Sequence, residues 1–277
     1  MGRTVPSVAV LADLRIAPKK SPDLSSRPTD EVPGFDLSKK DAADALEERV
    51  VKLGLLQQRL DAEAARALLV VFQGVDTAGK DGAIKNVFRG ITPSATQVFG
   101  FKAPVAPELA HDYLWRVHRV APERGHIGLF NRSHYEDVVA ARVRGIASKS
   151  EVRKRYKHIN AFEQLLDDEG TRVVKIFLHL SKNEQKERLQ ARLDDPEKRW
   201  KFRVGDLDDR AKWDDFARAY EDAIGATSTD RAPWYVVPAD RKWLRDVLVA
   251  EILASTLADM DPQLPPDDPA LESLVID

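Results

Sequence analysis

A chain of 277 residues with 43 Lys and Arg against 45 Asp and Glu carries a formal charge of −2, which excludes a globally basic nucleic-acid coat. Its 43% hydrophobic and 32% charged residues suit one core of ordinary size, or at most two small domains. The absence of cysteine excludes disulfide frameworks, thiolate nucleophiles and cysteine zinc sites.

The first 35 or so residues place Pro6, Pro18, Pro22, Pro28 and Pro33 among Ser, Asp and Lys, which predicts an extended, wrapping arm (1–35). The apolar stretch from Val5 to Leu14 contains Asp13 and is followed by Arg15 and Lys19-Lys20, opposite to secretory order, so a cytoplasmic location is expected. Ser38 and Asp41 form a capping signal, after which Leu46, Val50, Leu53, Leu56 and Leu60 recur at helical steps. An alternation follows: strand Leu68 to Gln73, helix from Lys80, strand Gln97 to Phe101, helix around Glu108 to Val120, strand Ile127 to Phe130. A helix bearing Val152, Tyr156, Ile159, Phe162 and Leu165 leads to strand Val173 to Leu180 and a charged helical segment from Ser181 to about Trp213. A helix near Phe216 to Ile224, strand Trp234 to Val237 and a last helix from Trp243 to Leu257 complete the body, 36–261, and 262–277 forms a tail. Strands separated by helices require parallel pairing through crossovers, hence an open α/β sheet of about five strands covered on both faces. The apolar runs are strand-sized, against the roughly 20 residues that cross a bilayer, so no membrane partner is expected.

At the end of the first strand, Gly74-Val75-Asp76-Thr77-Ala78-Gly79-Lys80-Asp81-Gly82 matches seven positions of the G-x-x-x-x-G-K-[ST] phosphate loop and departs at the eighth, Asp81. Glycines allow the bend, backbone N–H groups from Gly74 through Ala78 to Gly82 cradle phosphate, and Lys80 adds a point charge. The pattern alone is weak; a buried strand before it and an apolar-periodic helix after it strengthen it. Because the magnesium-binding hydroxyl is missing, carboxylates must hold the ion, and Asp76 and Asp81 are the candidates. For Asp81 the competing role is a helix N-terminal carboxylate.

The strand from Ile127 ends in Asn131-Arg132-Ser133-His134-Tyr135-Glu136-Asp137, which should face the loop across a crevice at the carboxyl ends of the strands. Arg132 can bridge phosphates bidentately, or pair with Glu136 or Asp137 one turn on.

Together with Gln185, Arg188, Arg192 and the string Pro196 to Lys201, these motifs closely resemble the polyphosphate kinase 2 family over about Phe35 to Leu257. The resemblance implies a three-layer αβα phosphate-loop kinase-like fold with a helical lid at about 182–213. It implies phosphoryl transfer between inorganic polyphosphate and adenine nucleotides, more remotely guanine nucleotides, with Mg2+, for which Mn2+ can substitute. Carried over by position, Asp76, Lys80, Arg132, Arg188 and Arg192 are the catalytic candidates. Asn131, Lys198 and Lys201 join the phosphate- and nucleotide-binding set, and Asp76 is the expected metal ligand, with Asp81 and Glu136 as secondary candidates. Asn131, where many members have Asp, looks like the class III members that act on AMP and ADP. Family members assemble as homo-oligomers, so a dimer or tetramer is expected, with the helix from Leu46 to Leu60 as one possible interface.

Ser181 and Glu184 read as a capping box, opening a helix with Gln185, Arg188 and Arg192 on one face and a neighbouring apolar edge of Leu189 and Leu193, so that the apolar side is expected to anchor the helix and the other to offer guanidinium groups. Arg142, Arg144, Lys149, Arg153, Lys154, Arg155 and Lys157 form a basic block against the single acid Glu151, a candidate attractor for a long polyanion. No histidine has metal-ligand spacing, and none is assigned to catalysis. Two other readings stay open: an ATP-dependent kinase of a nucleoside monophosphate or small hydroxyl compound, and a nucleotide or polyphosphate sensor without turnover.

Overall fold

The run 67–73 is buried at all seven positions, with Leu68, Val70 and Phe72 entering one core and Leu69 and Val71 another. A strand with no solvent face needs cover on both sides. The computed structural model describes residues 6–269; positions 1–5 of the arm and 270–277 of the tail lie outside the described residues. In chain order the elements are α1 (Val8–Leu14), β1 (Arg15–Ile16), α2 (Ala42–Glu63), β2 (Ala67–Gln73), α3 (Lys80–Val87), β3 (Thr96–Gly100), α4 (Ala106–Leu109) and α5 (Trp115–His118). They continue with β4 (Ile127–Asn131), α6 (Ala140–Val143), α7 (Lys149–Asp168), β5 (Thr171–His179), α8 (Lys182–Asp194), α9 (Gly205–Ala211), α10 (Trp213–Thr227), β6 (Trp234–Pro238) and α11 (Lys242–Met260).

The sheet order is β1-β6-β5-β2-β4-β3, parallel except at β1, which runs antiparallel to β6. Helices α2, α3 and α11 cover one face, and α6, α7 and α10 the other. This is the three-layer α/β arrangement the strand–helix alternation predicts, with β2 central. Among the described residues, no helix is long and apolar enough to cross a membrane.

Three local expectations change. The arm is not uniformly extended: Ser7 caps α1 by accepting from the Val10 N–H at 3.4 Å, and Ile16, 3% exposed, adds a sixth strand to the sheet edge. The single helix around 108–120 is two four-residue helices, because Asp112 Oδ1 accepts from the Leu114 N–H at 2.9 Å and forms a turn between them. The charged segment divides into α8, a 3-10 turn at Arg199–Lys201 and α9, since Asp195 accepts from the Glu197 N–H at 3.0 Å and Pro196 cannot continue a helix. Helix α2 packs along α11, joined by the Arg49–Glu251 pair at 2.6 Å, and turns Val51 and Leu55 to solvent.

Beneath the sheet's carboxyl end lies a buried polar network. Glu163 on α7 accepts from Lys175 on β5 and, at 2.8 Å, from the Tyr135 hydroxyl, and His134 Nε2 lies 3.3 Å away. Burial acts to raise the Glu163 carboxyl, but Lys175 and His134 outweigh it and hold it below its ordinary range. Burial pulls the Lys175 ammonium down. The turn that follows Arg132 is thus anchored from below. Lys175→Met, which strands Glu163 without its cation, should cost about 3–5 kcal/mol in chemical denaturation, and adding Glu163→Gln should recover most of it.

Candidate active site

The phosphate loop departs from β2 at Gly74, whose φ of +150° and lack of Cβ let it pass 2.9 Å from the Leu178 carbonyl, measured to the position a Cβ would take. Thr77 and Gly79 follow with φ of +68° and +97°, and Gly79 caps α3 without a side chain. A threonine in the left-handed region stores strain of about 1–3 kcal/mol, as residues around functional sites often do. Its hydroxyl is buried and has no hydrogen-bond partner. Lys80, 7% exposed, bends back to donate to the Gly74 carbonyl at 2.7 Å and that of Val75 at 3.2 Å.

Facing the loop, β4 ends where the Arg132 N–H donates to the Phe72 carbonyl at 3.0 Å and the chain then turns at φ +62°. That second left-handed residue aims the guanidinium across the crevice, where Nη2 meets Asp76 Oδ1 at 2.5 Å and Nη1 lies 3.8 Å from Glu136. Arg132 thus faces the loop and is paired with both Asp76 and Glu136. Burial opposes its charge, yet Glu136 and Asp76 hold the guanidinium above its ordinary value. Burial pushes the Glu136 carboxyl up, partly countered by Arg132 and Lys80. Asn131 Nδ2 donates to Asp81 Oδ1 at 2.5 Å, so Asp81 serves both the first turn of α3 and the strand end. Gln73 completes the floor, its amide 3.2 Å from both Ser133 Oγ and Tyr220 Oη.

Helix α8 begins as Ser181 Oγ accepts from the Glu184 N–H at 3.1 Å, but the capping box is half formed. The Ser181 N–H instead donates to Asp240 at 2.8 Å, and the Glu184 carboxylate takes the Arg188 Nε–H at 2.7 Å. The face bearing Gln185 and Arg188 is the buried one, contrary to the expectation that the apolar edge anchors while the guanidinium groups stay open. Arg188 spends all five N–H groups internally: beyond Glu184, it donates to the carbonyls of Thr77, Ala78, Ala239 and Asp240 at 2.8–3.3 Å. Arg192, one turn on, is half-buried and attracts Asp206 of α9. Lys198 pairs with Asp195 at 2.5 Å and Lys201 lies 5.1 Å from the exposed Trp200 ring, both on the solvent side of the segment.

The lid is closed. Asp209 of α9 takes Arg144 Nη2 at 2.5 Å, Arg210 donates to Gln185 Oε1 at 2.8 Å, and Gln185 donates to the Asp76 carbonyl at 3.2 Å. The crevice beneath, lined by Gly74, Asp76, Arg132, Glu136, Gln185, Trp213 and Tyr220 among others, keeps about 30 Å³. That is room for about one water. A wider concavity of about 420 Å³, between α5 and α7, contains none of these groups.

The structure thus gathers Asp76, Lys80, Asp81, Asn131, Arg132 and Glu136 at one strand-end crevice, with Arg188 behind the loop. Sequence reasoning missed the bare Thr77 hydroxyl, Gln73, Tyr220 and Asp206. Of these, Thr77 had a signal, since it stands inside the motif. In the basic block, Arg142 and Arg144 are paired with Asp222 and Asp209 and Arg155 with the Asp137 carbonyl, which leaves Lys149, Arg153, Lys154 and Lys157 on the surface.

Comparison with known proteins gives a consistent picture. The sequence profile described as Polyphosphate kinase 2 matches residues 36–265. The chain is 48% identical to the AMP/ADP-polyphosphate phosphotransferase of Meiothermus ruber, over 95% of this chain and 98% of that one. It is 44% identical to the ADP-polyphosphate phosphotransferase of Rhodopseudomonas palustris, over 92% of each. Its fold superposes on the crystal structure of Polyphosphate Kinase 2 from Arthrobacter aurescens TC1 with a TM-score of 0.90 at 41% identity, covering 94% of this chain and 93% of that one.

Burial, with the nearby Arg132, lowers the Lys80 ammonium to about 8, against the pull of Asp76 and Glu136. Only the protonated form attracts an anion, so affinity for long-chain polyphosphate, whose internal groups do not titrate there, should fall as pH rises through that value. The fall should approach about tenfold per pH unit, and Lys80→Arg should remove it, as read by calorimetric titration.

Proposed function

The chain belongs to the polyphosphate kinase 2 family, and on that premise we propose that it passes the terminal phosphoryl group of inorganic polyphosphate to ADP and AMP, reversibly and with magnesium. The observation that carries this reading is the meeting of Lys80, Arg132, Asp76 and Glu136 in one crevice beyond β2 and β4.

In phosphoryl transfer of this kind, charge spreads over the equatorial oxygens of the moving group, and catalysis is chiefly positioning and neutralisation. Lys80 exchanges the Gly74 and Val75 carbonyls for phosphate oxygens. Arg132 leaves Asp76 for the transferring group, two N–H bonds against one face. Arg192 and the rest of α8–α9 close over the crevice and exclude water. The Gly79 N–H, opposite a carbonyl that Arg188 holds, points to the phosphate side. Arg188, placed by resemblance among the catalytic residues, acts in this reading through the loop. Lys198 and Lys201 reach substrate only after movement of the 195–201 segment.

Among the described residues, no cluster of three or more His, Cys, Asp or Glu forms a metal cage. Magnesium bound through substrate phosphates needs only one or two carboxylates. Asp76 and Glu136, which line the crevice together, fit that need; Asp81 lies beside Asn131, to which it is hydrogen-bonded. The bound ion would supply neutralisation of phosphate charge. The neutral Asn131 beside Arg132 and the name of the Meiothermus ruber relative both support use of AMP as well as ADP. A cytoplasmic homo-oligomer is part of the reading, with Val51 and Leu55 as an apolar patch on α2.

A matrix of donors and acceptors tests the proposal. Polyphosphate alone should convert AMP to ADP and ADP to ATP, a chelator should abolish both, and ATP should not phosphorylate AMP in its absence. Transfer from ATP alone would favour the small-molecule kinase, and saturable binding without transfer the sensor. Arg132→Ala should lower turnover by about 10³-fold or more, as loss of an arginine finger does. Charge reversal at Arg153 and Lys154 should raise KM for long polyphosphate and leave that for tripolyphosphate unchanged, if the exposed part of the basic block guides long chains.

A further inference from the structure

Behind the phosphate loop lies a group that neither the motifs nor the proposed mechanism uses. Arg245, on the first turns of α11, is 2% exposed. Its Nη1 lies 2.0 Å and its Cζ 3.1 Å from the point where a Cβ on Gly79 would sit, and its Nη2 lies 3.4 Å from the corresponding point on Gly82. The guanidinium therefore fills the space that two loop glycines leave empty. On the same side, Arg188 Nη1 comes within 3.7 Å of the Gly79 point, so two guanidinium groups stand together under one residue of the loop.

Arg245 is held by its neighbour: Nε donates to Asp246 Oδ1 at 2.8 Å and Nη2 lies 2.6 Å from the same oxygen. The other oxygen of Asp246 accepts from Asn86 Nδ2 on α3 at 2.7 Å, so the pair ties α11 to the helix that the loop opens. Three cations, Arg188, Arg245 and Lys242, repel one another there, against two facing acids, Glu184 and Asp246. Burial and Arg188 lower the Arg245 guanidinium, while Asp246 acts to hold it charged. Fixed cations gathered behind backbone N–H groups make a site that an anion completes.

We propose that Arg245 is a positioning residue for phosphoryl transfer: packed on Gly79, it fixes the anion-receiving form of the loop and supplies buried positive charge that bound phosphate neutralises. The inference rests on the reading of this loop as the phosphate site. It differs from a packing role in requiring the charge, not merely the volume.

The test uses the full chain with Arg245→Gln and Arg245→Lys, two replacements of similar size that differ in charge. Two quantities are read: the rise in thermal midpoint on adding tripolyphosphate, and the separate kcat and KM with polyphosphate and ADP. Arg245→Gln should lose more than about half of the tripolyphosphate shift and raise KM for polyphosphate about tenfold, with a smaller change in kcat; Arg245→Lys should keep most of the shift. Equal behaviour of the two variants, or a wild-type shift in both, overturns the proposal. Should Arg245→Gln fail to fold, Asn86→Ala decides, since it loosens Asp246 from outside the core and should reduce kcat/KM about threefold; unchanged kinetics would overturn the idea. A wild-type chain that tripolyphosphate does not stabilise removes the loop reading and this inference with it, whereas variants that match a responsive wild type remove this inference alone.

Discussion

The molecule is organised around cations at the strand-end crevice whose partners are supplied by the chain itself. Lys80 is satisfied by two loop carbonyls, Arg188 by four carbonyls and Glu184, and Arg132 by Asp76 and Glu136. Burying charge is tolerable only with such partners, and carbonyl oxygens are weaker partners than ionised phosphate. On the proposed function, these internal contacts occupy the same donors that a polyanion would take. Ligand binding then becomes an exchange of partners in place of a first desolvation.

The sheet makes that exchange possible by keeping its carboxyl ends rigid. β2 is buried on both faces, and β4 and β5 flank it in register, so Gly74 and Arg132 leave from neighbouring strands. The strand-end turn rests on Glu163, Lys175 and Tyr135, and the loop rests on Arg188. Two left-handed residues without the excuse of glycine, Thr77 and Arg132, stand where these supports converge. Strain of that kind persists only when surrounding structure over-determines it, and here the surroundings are polar as well as packed.

Much of this was legible in the residues. Periodicity placed β2, α2, α7 and α11, and contiguous motifs placed the phosphate loop and the Arg132 turn, because all their parts lie within a few positions of one another. What could not be read depends on contacts remote in sequence. The spacing of Gln185, Arg188 and Arg192 gives a helix face but not which way it turns: Gln185 and Arg188 are buried together with Leu189, so the apolar edge is not the sole anchor. Arg245 and Asp246 did leave a trace, an adjacent pair of opposite charges among Leu244, Val247, Leu248 and Val249, yet nothing in their spacing points to Gly79. The helix expected at 108–120 failed for a local reason, the Asp112 turn, which competes with helix through its own side chain.

The short β1 has a consequence for how the protein behaves in a crowd. Two residues from the arm cap the outer side of β6, so the sheet has one shielded margin and one bare margin, β3, where Val98 is 55% exposed. Unpaired strand backbone is a template for another chain, and a shield supplied by the arm can be lost by clipping it. Proteolysis just after Ile16 would therefore detach β1 and turn a molecule with a single open flank into one with two, able to add neighbours at both ends and so to grow as a chain.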